Sequence, residues 1–79
     1  MDKIELNDLL VCAFRYAIGR KTYVVPTIAD LLLKYKDILS ETSKAQIIRD
    51  INRAVKTANY GMDTDKNIWL RVRTGLEGY

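Results

Sequence analysis

The sequence predicts an all-α fold, a compact bundle of about four short helices assembled as a homo-oligomer. Three observations carry this. Apolar residues recur at steps of three and four along three stretches. Helix-starting and helix-ending residues bracket those stretches. A fourth stretch, Leu9 to Ile18, is apolar or aromatic at every position but Arg15, so as a helix it has no side left for water.

The first helix is expected to be capped by Asn7, with Asp8 in its first turn and Gly19 at its exit. Three other short helices can hardly cover Leu9 to Ile18 completely, which favours burial against a second copy of the chain. The connector Gly19 to Pro26 follows; Tyr23, Val24 and Val25 prefer extended backbone, and Pro26 disfavours helix at Val25. A strand over Thr22 to Val25 is the alternative, although a short one. Thr27 then caps helix two, with Asp30 in capping-box position. Ile28, Leu31, Leu32, Tyr35, Ile38 and Leu39 form its apolar side, and Asp30, Lys34 and Asp37 its polar side.

Helix three starts from Ser40 or Ser43 and stops at Gly61. Its stripe is Ile47, Ile48, Ile51, Ala54, Val55 and Ala58. The turn Gly61 to Asp65 leads to a short fourth helix that packs Ile68, Trp69, Val72 and Leu76 inward, its end frayed by Gly75 and Gly78.

The 79 residues form one domain, 1–79. A chain of this size buries only about 60–65% of its unfolded surface, so its own core gives thin stability. Small proteins compensate with disulfides, a metal or oligomerisation. The single Cys12 excludes an intrachain disulfide, and the absence of His argues against a zinc site. Self-association is what remains. No metal and no cofactor is expected.

Net charge is +3, which allows anionic partners without demanding one. Acids stand near the N-terminus where a signal peptide carries its positive region. Ten residues of helix span about 15 Å, half of a bilayer core. A cytoplasmic protein with no membrane partner is expected. Catalysis is hard to assemble here. No His supplies a base near neutral pH, and Cys12, set in an apolar helix, reads as a core residue. Asp63 and Asp65 read as caps of the fourth helix, where carboxylates suit the dipole.

The segment Arg15 to Tyr23 is the most informative. Arg15, Tyr16, Arg20, Lys21, Thr22 and Tyr23 crowd the exit of one helix and the entry to the next. Guanidinium groups hold phosphate through paired donors, and a helix start offers free amides to an anion. These six are the candidate ligand-binding residues. Arg15 lies within apolar sequence and therefore wants a partner, either a carboxylate such as Asp8, Asp30 or Asp50, or a ligand. A second candidate is the cationic outer side of helix three, Lys44, Arg49, Arg53 and Lys56, with Arg71 and Arg73 near the C-terminus; it suits a nucleic-acid backbone or an ordinary solvated surface.

Residues Leu9 to Tyr35, LLVCAFRYAIGRKTYVVPTIADLLLKY, resemble a family of short, mostly uncharacterised proteins of phages and prophages of Gram-positive bacteria. The likeness rests on FRYAIGRKTYVV followed by IADLL and continues more faintly through DKNIWLRV. The family carries Gly or a small polar residue where this chain has Pro26. The resemblance implies a counter-defence protein acting in the cytoplasm of an infected or lysogenic host. On that expectation, the oligomer sequesters a phosphate-bearing nucleotide immune signal between protomers. The rival expectations are a protein-binding inhibitor of a host defence nuclease and a small nucleic-acid-binding regulator.

Overall fold

The computed structural model describes residues 2–19, 23–57 and 63–78, with the backbone alone at 57 and 63–65. Four helices follow one another: α1 (Lys3–Ala17), α2 (Val25–Lys34), α3 (Glu41–Thr57) and α4 (Asp63–Leu76). Among the described residues there is no strand. The most extensive packing joins α2 to α4. Further contacts join α1 to α2 and α3 to α4, and a narrower one α1 to α3.

Helix α1 starts five residues earlier than Asn7 predicts. Asp2 is its cap, with a carboxylate oxygen accepting the Glu5 amide at 2.8 Å. Asp2 and Glu5 have capping-box spacing, and the carboxylates also suit the positive end of the helix. Asn7 is released for another task. Its side-chain oxygen accepts the backbone N–H of Ser40 at 2.9 Å, tying α1 to the start of α3. Ser40, not Ser43, caps α3: its hydroxyl accepts the Ser43 amide at 3.1 Å, and its carbonyl accepts the Lys44 amide at 2.9 Å. Replacing Ser40 with alanine is expected to cost about 1 kcal/mol, measured by urea unfolding.

Helix α2 starts at Val25, not after a Thr27 cap, and no side chain caps it. Pro26 sits in the first turn, where its missing N–H would have had no helical partner anyway. The steric bias against a helical Val25 loses to packing, because Val25 is completely buried; full burial of such a side chain is worth roughly 1.5–3 kcal/mol. The helix ends at Lys34. Ile38 and Leu39 lie in the turn that follows, and Leu39 still reaches the core.

One core unites the elements. Phe14 of α1 and Trp69 of α4 meet edge to face at 5.3 Å and 89°, in a core that also holds Leu32, Ile47, Ile51 and Val72. Gly75 does not fray α4. It lies inside the helix, where an added Cβ would collide with the Leu33 side chain, so glycine permits the close approach of α2 and α4. The expected stop at Gly61, the last stripe residue Ala58 and the side chains of Asp63 and Asp65 lie outside the described residues.

Candidate functional site

Helix α1 positions the site by burying only one of its sides. Leu10, Phe14 and Ala17 enter the core, with Leu6, Val11 and Ala13 packed against it. The expectation that Leu9 to Ile18 is buried all round is therefore corrected within the protomer. Ile4 is 75% exposed, Leu9 52% and Tyr16 55%, and Asp8, Cys12 and Arg15 are exposed as well. A helix needs neighbours on every side to bury a full decapeptide, and α2, α3 and α4 supply them on one side only. Cys12 is a free surface thiol instead of a core residue.

Arg15 shares that outer side. Among the described residues no carboxylate lies within ion-pair distance of it. The three acids expected as partners are placed elsewhere. Asp30 accepts from Arg71 at 3.2 Å, Asp50 accepts from Arg53 at 2.6 Å and from Gln46 at 3.0 Å, and Asp8 accepts from the neighbouring Asn7 amide at 3.3 Å. Solvent removes the need that a buried Arg15 would have had. At the corner between α1 and α2, Gly19 turns the chain at φ +77°, a value glycine adopts without penalty. Tyr23 is 92% exposed beyond it. Arg20, Lys21 and Thr22 lie outside the described residues. Arg15, Tyr16 and Tyr23 are all exposed around this corner.

The second candidate, the outer side of α3, is already partly neutralised. Lys44 pairs with Glu41 at 3.4 Å and Arg53 with Asp50, while Arg49 donates to Gln46 at 3.4 Å. Lys56 is exposed. Arg73 donates to Asn52 at 2.8 Å and lies 3.7 Å from Glu77.

Comparison with protein-family models, curated proteins and solved structures finds no match. No helix is long and apolar enough to cross a membrane, and no group of three metal-ligating side chains occurs among the described residues. A groove of about 290 Å³ runs between the first turn of α1 and the α2–α3 turn, lined by Lys3, Ile4, Asn7, Ile38 and Ser40.

The feature that sequence reading missed is the outer stripe of α1 with its charges at fixed places. The signal was present. Asp8, Leu9, Cys12, Arg15 and Tyr16 fall on one side of a helical projection, opposite Leu10, Phe14 and Ala17. A run apolar at nearly every position concealed the difference between its two sides.

Proposed function

We propose that this chain is a non-catalytic binding protein that works as a homo-oligomer through the outer side of α1 and takes a phosphate-bearing small ligand at the α1–α2 corner. One observation carries the reading: an otherwise well-packed bundle turns Leu9, Cys12 and Tyr16 outward at consecutive helical spacings. Surface hydrophobics scattered singly need no explanation, whereas grouped ones mark a contact. For the ligand, Arg20, Lys21, Thr22 and Tyr23 supply cations, a hydroxyl and a ring within four consecutive positions, with Arg15 and Tyr16 at the border between the corner and the oligomer contact. The resemblance to phage proteins points to counter-defence without choosing its mode; the charged Arg20 to Tyr23 segment on an oligomer is what favours a nucleotide signal of bacterial immunity as the ligand and sequestration as the action.

Titration calorimetry against a panel of cyclic and ADP-ribose-derived nucleotides tests the ligand half. Binding is expected for one class, with R20A/K21A weakening it at least tenfold and leaving the melting temperature unchanged; a charge-assisted hydrogen bond is worth roughly 1.5–3 kcal/mol. Silence across the panel rejects the ligand half.

The same apolar side also suits a host defence protein, and that reading predicts a stable complex on co-purification from host lysate. A nucleic-acid regulator has less support, because Lys44 and Arg53 already face carboxylates of their own helix.

A further inference from the structure

The outer side of α1 carries an order that a featureless greasy contact would lack. At 100° per residue, Asp8 and Arg15 fall about 20° apart on one flank, and Leu9 and Tyr16 fall about 20° apart on the other. Cys12 stands between the flanks, midway between the two ends of the stripe. The acid-and-leucine pair 8–9 and the base-and-tyrosine pair 15–16 are placed symmetrically about position 12. All five residues are exposed. Arg15 has no ion pair among the described residues, and the only described bond to the Asp8 carboxylate is the side-chain amide of Asn7.

We propose that two copies of the chain pair α1 against α1 antiparallel, about a two-fold axis at Cys12, with Arg15 of each copy facing Asp8 of the other. This rests on the self-association reading above and specifies its geometry. A two-fold axis perpendicular to two antiparallel helices sets each flank against the same flank of the copy. One flank then makes two reciprocal Arg15–Asp8 pairs. The other lays Leu9 on the Tyr16 ring of the second copy, twice. A parallel pairing, about an axis along the helices, sets each flank against the opposite flank of the copy, so Asp8 meets Leu9, Arg15 meets Tyr16, and neither charge gains a partner. Charge complementarity therefore selects both the occupant, a second copy, and its direction.

Size sets the strength. A helix of 15 residues is about 22 Å long, and one such helix against its copy covers less than the roughly 800 Å² per partner of a standard interface. The dimer is a dissociable one, with a constant in the micromolar range. The geometry also separates the two ligand corners, since antiparallel helices place their C-terminal ends apart. Each protomer keeps its own corner between α1 and α2, while Arg15 and Tyr16 serve the dimer.

Sedimentation equilibrium of the wild type, D8R, R15D and the double variant D8R/R15D tests this. Both single variants create two like-charge contacts across the axis and are expected to weaken the dimer at least tenfold. The double variant restores opposite charges and returns the constant to within about threefold of wild type. Both substituted positions are exposed, and circular dichroism checks that the fold is intact. A wild-type dimer that the single variants leave unchanged, or that the double variant fails to restore, overturns the antiparallel arrangement and leaves self-association standing. A wild type that stays monomeric overturns both. Mild oxidation supplies a second readout: a Cys12–Cys12 disulfide-linked dimer is expected, because the axis brings the two thiols together. Its absence in a wild type that dimerises moves the axis away from Cys12 and rejects the proposal.

Discussion

Trp69→Ala is expected to lower unfolding stability by about 3–5 kcal/mol, the cost of removing a large buried aromatic. Trp69 is completely buried and joins α4 to α1 through its edge-to-face contact with Phe14. A chain of this length holds on the order of 4–12 kcal/mol in total, so the variant loses a quarter of its stability or more. The melting temperature is expected to fall by more than about 12 °C, read by circular dichroism. Trp69→Phe supplies the control. It keeps an apolar ring against Phe14 and removes the indole N–H, which finds no acceptor among the described residues. An unpaired buried donor costs roughly 1–3 kcal/mol, so its removal offsets part of the lost volume. The phenylalanine variant is expected to lose less than half of what the alanine variant loses. Equal losses would show that ring packing is not what Trp69 contributes.

The second large effect separates the outer side of α1 from the core. Replacing Leu9 and Tyr16 together by glutamate is expected to weaken self-association more than hundredfold while moving the melting temperature of the monomer by only a degree or two. Both side chains are about half exposed, so on the proposed pairing they contribute more to association than to folding. Each apolar side chain removed from a contact forfeits on the order of 1–2 kcal/mol, and the two-fold axis counts each loss twice. The added carboxylates also repel their counterparts on the same flank of the copy. A variant that unfolds would assign Leu9 and Tyr16 to the core instead.

The number and order of helices could be read from the sequence, because stripes such as Ile47, Ile51 and Ala54 announce a period near 3.6. Helix starts were harder. Asn7, Thr27 and Ser43 all have capping chemistry, but so do Asp2 and Ser40, and spacing alone does not rank them. Burial decided α2, where a buried Val25 outweighed the proline that follows it. Gly75 read as a breaker because its role depends on Leu33, 42 positions away in the chain. The site was legible as residue types and not as an arrangement. Arg15 and Tyr16 stand out in any reading, yet which side of α1 faces water depends on where three other helices pack.

The most direct measurement is sedimentation velocity of the unmodified protein from low micromolar to near-millimolar concentration. The account predicts a sedimentation coefficient that climbs with concentration from the monomer value to that of a dimer. A single monomeric species over the whole range would contradict it, and the exposed side of α1 would then be no meeting place for a second copy.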